Sequence, residues 1–358
     1  MPALDLSATS VSLTRTICDI PSVSGDEATL ADAIESSLTG LPHLELYRNG
    51  DTIVARTDLG RAQRVVIAGH IDTVPINGNV PTRDVTIDGI DHVWGRGTVD
   101  MKAGVAVQLK LAAELTNPRV DITWMWYDHE EVDADLNGLT RLSADRPDFF
   151  AADFAILGEP SNGEVEGGCN GNLRAVVRTH GVRSHSARAW VGENAIHKAA
   201  PILRRLAEYR PREIAVEGLV YREGLNAVRI SGGVAGNVIP DLCEVEVNYR
   251  FAPSRSAEEA TQHVQDAFDG FDVEIVDLAP GARPGLDAPL AQEFVAAVGA
   301  EPRPKYGWTD VARFSALGVP AVNYGPGDPH LAHHDEERVP IQQIEDVERG
   351  LRAWLTSS

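Results

Sequence analysis

Cysteines, basic residues and long apolar runs are all scarce in this 358-residue chain. The three cysteines, Cys18, Cys169 and Cys243, are odd in number and far apart, which indicates neither a disulfide framework nor a thiolate metal cluster. If a metal is bound, nitrogen and oxygen ligands must therefore hold it. No stretch approaches the roughly twenty apolar residues of a membrane span, and the N-terminus lacks the pattern of a signal peptide. These absences predict a soluble, cytoplasmic protein.

The charge balance is acidic. Lysine and arginine together number 32 against 53 aspartates and glutamates, giving a formal net charge of −21. A chain with this balance repels phosphate backbones and anionic membrane surfaces, so we expect neither a nucleic acid nor a membrane as its partner.

Hydrophobic patterning predicts an α/β protein. Apolar strand patterns such as "RVVIAG" and "DITWMWY" alternate with helix patterns such as "KAGVAVQLKLAAEL". This alternation indicates a mixed, largely parallel sheet with helices on both faces. Functional residues of such sheets lie at the carboxyl ends of the strands.

The middle of the chain has a different order of predicted strands and helices. Between about residues 174 and 283 the order of elements is β-α-β-β-α-β, which is typical of a ferredoxin-like α+β domain. The sequence therefore predicts an inserted domain over residues 174–283, bounded by the glycine- and proline-rich "PGARPG". Residues 1–173 and 284–358 would form the catalytic domain.

The stretch "GHIDTVP" ends a predicted buried strand with His70 and Asp72. Residues two apart on a strand point the same way, so the imidazole could ligate a metal while the carboxylate fixes its tautomer. The alternative is an ordinary polar strand terminus, which this motif alone leaves open.

Two further stretches offer carboxylates. In "GRGTVDMKAG" Asp100 precedes a predicted helix, either as its N-cap or as a carboxylate that bridges two cations. In "DHEEV" Glu130 and Glu131 follow a predicted buried strand, where one could ligate a metal and the other serve as general base. A solvated acidic turn is the alternative for this pair.

Two more strand ends complete the set. Glu159 follows the strand pattern "FAIL", and "LAHHDEERV" near the C-terminus supplies His333 and His334. Five strand-end positions with nitrogen or oxygen ligands fit a two-metal site, in which a metal-acidified water attacks an amide and a free glutamate carries its proton. The pattern therefore favours metal-dependent amide hydrolysis.

The order of these motifs resembles the di-zinc aminoacylase/carboxypeptidase family of metallopeptidases over essentially the whole chain. The resemblance implies two Zn²⁺ per subunit, with Co²⁺ or Mn²⁺ as substitutes. It also implies a general base, Glu130, and an orienting carboxylate, Asp72. The zinc ligands it implies are His70, Asp100 as the bridging ligand, Glu131, Glu159 and His333. The family's final histidine has a glutamate four residues later, which His333 and Glu337 satisfy, although His334 is chemically equivalent.

The resemblance also assigns roles in the inserted domain, which in this family is a lid and dimerisation module. It implies a homodimer in which His185 reaches the partner's site to stabilise an oxyanion, with Asn237 as its companion. Arg250 and Arg313 would anchor substrate carboxylates, with Thr309 beside the latter. The stretches "EGGCNGNLR" and "GWTDVARF" are similar to a branch of the family that removes succinate from a succinylated diamino diacid, a small anionic substrate.

Two other functions remain open at this stage. One is hydrolysis of a different substrate, as in acetylornithine deacetylase or a dipeptidase, since these share the metal ligands. The other is a non-catalytic relative that only binds a ligand in the same cleft. The chain also departs from many relatives at His129, where they carry an acidic residue before the glutamate pair.

Overall fold

The computed structural model describes residues 4–357, and the chain divides into two units. The first unit is Met1–Gly167, Pro284–Arg303 and Arg313–Ser358, and the second is Gly168–Arg283 with Pro304–Ala312. The sequence predicts that the inserted domain begins at residue 174, but the second unit begins at Gly168 and also includes Pro304–Ala312. Hydrogen bonds within that unit account for the difference, since Cys169 pairs with Ala282 and the N–H of Asn170 donates to the carbonyl of Lys305.

The described residues contain the following elements in chain order. The strands are β1 Glu45–Asn49, β2 Thr52–Arg56, β3 Arg64–His70, β4 Arg83–Ile87, β5 Ile90–Trp94, β6 Asp121–Tyr127, β7 Phe154–Leu157, β8 Glu166–Gly167, β9 Gly171–His180, β10 Ser184–His185, β11 Glu213–Val216, β12 Leu219–Arg222, β13 Gly224–Gly232, β14 Val238–Ile239, β15 Leu242–Phe251, β16 Asp272–Ala279, β17 Arg303–Pro304, β18 Ala321–Asn323 and β19 Arg338–Pro340. The α-helices are α1 Ser10–Cys18, α2 Ala28–Leu38, α3 Lys102–Glu114, α4 Gly138–Asp145, α5 Ala195–Lys198, α6 Ala200–Glu208, α7 Ala257–Ala267, α8 Pro289–Val298, α9 Val311–Ala316 and α10 Ile341–Thr356. Short 3₁₀ helices cover Pro147–Phe150, Ser186–Val191 and Pro329–Leu331.

The first unit is built on a sheet of eight strands in the order β1-β2-β6-β3-β7-β18-β8-β17. Its centre is parallel, because β3 pairs in parallel with β6 and β7, and β18 does so with β7. Antiparallel pairs flank this centre on both sides. All seven residues of β6 are buried, so both faces of the sheet are covered there. The predicted α/β class is confirmed.

Helix α3 packs very closely on the end of β7. A Cβ at Gly104 would lie 2.3 Å from the carbonyl oxygen of Gly158, so only glycine permits this approach. The helix is buried along almost its whole length. This packing brings the segment just before α3 to the carboxyl ends of the central strands.

The first unit also contains a small sheet of three strands, β19-β5-β4, that the sequence analysis did not anticipate. Strand β19 comes from the C-terminal part of the chain and pairs antiparallel with β5. This pairing joins the segment that follows His333 to the strand that leads toward Asp100.

The second unit contains a four-stranded antiparallel sheet in the order β13-β15-β9-β16. With α5 and α6 after β9 and α7 after β15, this is the predicted ferredoxin-like arrangement. Ser256 and Glu259 form the capping box that opens α7. Where the β-α-β-β-α-β order has one helix after the first strand, the structure has two, α5 and α6, and Pro201 in the first turn of α6 has no N–H to continue a helix.

Among residues 4–357, no helix has both the length and the apolar character that crossing a bilayer requires.

Candidate metal centre

Three side chains from different parts of the first unit converge at the carboxyl edge of its sheet. His70 is the last residue of β3, Asp100 lies just before α3, and Glu131 follows the end of β6. Potential ligand atoms of these three residues lie within 4.8 Å of one another. The expectation that strand ends bring these residues together is therefore realised for this group.

His70 is buried and contacts two carboxylates through its Nε2. This atom lies 3.0 Å from Oδ1 of Asp100 and 3.9 Å from Oε1 of Glu159. The other ring nitrogen, Nδ1, lies 3.0 Å from the backbone carbonyl oxygen of Asp72 and 3.4 Å from its carboxylate. An Nδ1–H directed at Asp72 would leave the lone pair of Nε2 available to a metal, which is the arrangement that the His-x-Asp motif predicts.

Asp72 is a shared acceptor as well as the neighbour of His70. Its carboxylate accepts hydrogen bonds from the backbone N–H groups of Glu130, at 3.0 Å, and Glu131, at 3.1 Å. The hydroxyl of Ser24 donates a further bond of 2.7 Å. One buried carboxylate thus fixes His70 relative to the segment that carries both glutamates.

Asp100 is not the side-chain cap of α3. The capping position is Met101, and no side-chain hydrogen bond caps the helix. The backbone N–H of Asp100 instead donates to Oε1 of Glu337, which also accepts from Val99. The Asp100 carboxylate is therefore left to face both His70 and His333.

The structure distinguishes His333 from His334. Nε2 of His333 lies 2.9 Å from Oε2 of Glu131 and 3.3 Å from Oδ2 of Asp100. Nδ1 of His334 instead accepts the backbone N–H of Glu336. Of the two histidines, His333 is the one that contacts the carboxylate cluster.

These contacts alter the proton affinities of the cluster. Burial by itself would lower the pKa of His70, but hydrogen bonds to Asp100 and Asp72 outweigh it and raise that pKa well above the ordinary value. Hydrogen bonds to Asp100 and Glu131 raise the pKa of His333 to about 10. Burial by itself would raise the pKa of Asp72, but the hydrogen bonds of this carboxylate with His70 and Ser24 lower its pKa to about 2. The cluster as a whole stabilises positive charge.

The donor set fits a divalent metal. The carboxylates of Asp100, Glu131 and Glu159 are only 7–13% exposed, and a group of like charges this shielded is unfavourable without a compensating cation. Imidazole nitrogen and carboxylate oxygen suit Zn²⁺, Co²⁺ and Mn²⁺. Because a ligating imidazole must be neutral, binding of a metal would release the protons that these histidines hold.

Two buried basic side chains, those of Arg96 and Lys102, lie on either side of Asp100 in the sequence. Nη1 of Arg96 donates to Oε2 of Glu337 at 2.9 Å, and Glu337 is fully buried. Nζ of Lys102, also buried, donates to the carbonyls of Ile17 and Ile20. The spacing of Glu337 after His333 was noted from the sequence, whereas nothing local distinguishes Arg96 or Lys102 from surface residues.

Most of the residues predicted to bind substrate lie in the second unit. His185 pairs with Val238 between β10 and β14, and the N–H of Ser186 donates to the carbonyl of Asn237, so His185 and Asn237 are close neighbours. Arg250 lies on β15, where its Nε donates to Asn248 at 3.1 Å.

The two remaining residues predicted to bind substrate, Thr309 and Arg313, belong to different units. Thr309 is a buried residue of the second unit, whose carbonyl accepts a bond from the thiol of Cys169. Arg313 belongs to the first unit and donates to Oγ1 of Thr140.

The chain is similar to known proteins in both sequence and fold. The sequence model of Peptidase family M20/M25/M40 matches residues 66–357. A Mycobacterium tuberculosis protein, provisionally named succinyl-diaminopimelate desuccinylase DapE, is 53% identical over 98% of this chain and 99% of its own. The succinyl-diaminopimelate desuccinylase of Corynebacterium glutamicum is 48% identical over 99% of this chain and 98% of its own. Among solved structures, the aminopeptidase PepT of Bacillus cereus has a TM-score of 0.79 and 18% identity, covering 98% of each chain, a likeness of fold.

Proposed function

The chain belongs to Peptidase family M20/M25/M40, and from this membership we propose that it is a metal-dependent succinyl-diaminopimelate desuccinylase. It would convert N-succinyl-L,L-diaminopimelate and water to succinate and L,L-diaminopimelate, on the route to diaminopimelate and lysine. The observation that carries the proposal is the convergence of His70, Asp100, Glu131 and His333 in a chain about half identical to proteins of that name. Such a biosynthetic role goes with a cytoplasmic location.

We propose two Zn²⁺ ions in this centre, with Asp100 between them. His70 and Glu159 would hold one ion, and Glu131 and His333 the other. The contacts of Asp100 with both histidines support this division. When bound, the two ions would acidify a water molecule and polarise the amide carbonyl.

In the proposed mechanism, Glu130 removes the proton from the attacking water and delivers it to the leaving amine. The N–H of Glu130 is held by Asp72, which also orients His70, so the base and a metal ligand share one support. Glu131, the next residue, contacts His333, which supports its proposed role as a metal ligand rather than as the base.

We further propose that carboxylates of the substrate are anchored by Arg250 and Arg313, with Thr309 and Asn237 donating hydrogen bonds. A succinylated diamino diacid carries three carboxylates, and a guanidinium binds such a group with two parallel hydrogen bonds. His185 would stabilise the oxyanion in the partner subunit of a homodimer.

The homodimer would form through the second unit. Strand β13 is at the edge of its sheet and is mostly exposed, including Val228 and Ile230. An exposed edge strand with apolar side chains is a template for pairing with another chain.

A substrate panel tests the proposed activity. Zinc-loaded protein should release succinate from N-succinyl-L,L-diaminopimelate, and protein treated with a chelator should not. Acetylornithine and dipeptides should be turned over at least about tenfold more slowly, because a site that pairs substrate carboxylates discriminates against analogues lacking them. Faster turnover of acetylornithine or a dipeptide would assign a different substrate to the same centre. No turnover of any member by demonstrably zinc-bound protein would instead favour a non-catalytic relative.

A further inference from the structure

The segment that carries the glutamate pair begins with an unusual backbone conformation. To present two consecutive N–H groups to Asp72, the chain must turn sharply at the end of β6. His129 makes this turn with a φ of 58°, in the left-handed region that residues with a Cβ avoid. Such a conformation persists only where the surroundings enforce it, and it often marks a functional site.

The side chain of Asp128, next to His129, is buried and connects several elements. Oδ2 of Asp128 lies 2.6 Å from Nδ1 of His129. Nη2 of Arg141, on α4, contacts both carboxylate oxygens at 2.7 and 2.8 Å, and the hydroxyl of Thr52, on β2, donates to Oδ1 at 2.5 Å.

The backbone around this turn is fixed as well. The carbonyl of Asp128 accepts the N–H of Gly138 at 2.8 Å, and a Cβ at Gly138 would lie 2.2 Å from Oγ1 of Thr52, so this packing leaves no space for a larger residue. The N–H of His129 donates to Oε1 of Glu27, a fully buried residue, at 3.2 Å. Asp128 therefore has defined contacts to β2, to α4 and to the turn itself.

We propose that Asp128 is a positioning residue for hydrolysis: it holds the left-handed turn at His129, so that Asp72 can bind both glutamate N–H groups. The side-chain contacts of Asp128 described above are with Thr52, His129 and Arg141, which are not predicted metal ligands. It acts through the backbone, by setting where Glu130 and Glu131 stand relative to His70. The kinetic part of this proposal rests on the desuccinylase activity proposed above, whereas its metal-binding part requires only the metal centre.

The chain provides a matched control at the opposite end of the same strand. Asp121, the first residue of β6, is a buried aspartate that accepts bonds from Thr57, Leu59 and Arg61. Asp121→Asn and Asp128→Asn each place an amide NH₂ where a buried carboxylate oxygen faces donors. Both variants should therefore lose thermal stability, but only Asp128→Asn disturbs the glutamate pair.

The test compares these two variants in zinc- and cobalt-loaded protein. Asp128→Asn should lower kcat by about 10- to 100-fold with little change in KM, weaken metal binding by about tenfold, and alter the visible absorption spectrum of bound Co²⁺. Asp121→Asn should keep the wild-type kcat, metal affinity and spectrum. Arg141→Met, compared with Arg146→Met beyond the end of the same helix, repeats the test if Asp128→Asn does not fold.

Wild-type kcat, metal affinity and Co²⁺ spectrum in folded Asp128→Asn or Arg141→Met protein would overturn the proposal and leave Asp128 a structural anchor only. Failure of the function proposed above is recognised separately, because the wild-type protein itself would then release no succinate. In that event the metal affinity and the Co²⁺ spectrum still decide the role of Asp128, since neither depends on the substrate.

Discussion

Glu130→Gln protein should bind metal like the wild-type protein and yet lose about 10²- to 10⁴-fold in kcat, which is the usual contribution of general acid–base catalysis. Glutamine has nearly the shape of glutamate, and the backbone N–H of residue 130 would still donate to Asp72. The site therefore stays assembled, but it has no carboxylate to take the proton from water. Steady-state kinetics of succinate release and metal analysis of the same sample measure both quantities.

Glu131→Gln is the matched comparison, one residue along the same turn. Glu131 contacts His333 and belongs to the ligand cluster, so its replacement should weaken metal binding first, and added metal should restore part of the activity. In Glu130→Gln protein, added metal should restore none. Activity close to wild type in Glu130→Gln protein would remove Glu130 from the role of general base.

The second large effect is expected from the adjacent histidines. His333→Ala should reduce metal affinity and kcat/KM by about 100-fold or more, since replacing even a residue that only supports a ligand costs 10- to 100-fold. His334→Ala should stay within about threefold of wild type, because the ring of His334 only accepts a backbone N–H nearby in the chain. Metal titration followed by chelator competition, together with kinetics, gives both values.

The two alanine variants remove the same side chain from consecutive positions, so each controls for the other. Equal losses in both variants would show that the segment, rather than one imidazole, is needed. A larger loss in His334→Ala than in His333→Ala would reverse the ligand assignment.

The sequence predicts the framework of the site because strand ends are local features. The apolar run before His70 and the run before Glu130 each indicate where a buried strand stops, and the carboxyl ends of parallel strands meet at one edge. Strand β6 coincides with its predicted limits, and β3 extends one residue further, to His70 itself. His70 and Glu131 are brought together as this argument expects.

The sequence does not show which residues far apart in the chain contact one another. The sequence could not show that Asp100 faces His70 and His333 and does not cap α3, because this arrangement involves Glu337, which lies 237 residues away and accepts the N–H of Asp100. The residues themselves leave His333 and His334 equivalent, and the resemblance to a family had to separate them. In the structure the local backbone does so, since His333 has a φ of 64° and projects toward Glu131 while His334 contacts its own turn.

Asp128 illustrates the same limit on a smaller scale. It stands beside the glutamate pair in the sequence, where it resembles the other acidic residues of a solvated loop. Its burial and its contacts with Thr52 and Arg141 appear only when β2 and α4 are folded against β6. A departure at the neighbouring His129 was visible in the sequence, but its left-handed backbone was not.

The measurement that tests the central claim most directly is an anomalous difference map from a zinc-loaded crystal, recorded at the zinc absorption edge. We predict two peaks, about 3.5 to 4 Å apart, with Asp100 touching both. One peak should be bound by His70 and Glu159 and the other by Glu131 and His333. A map without zinc among these side chains, at full zinc content of the crystallised protein, would contradict the account.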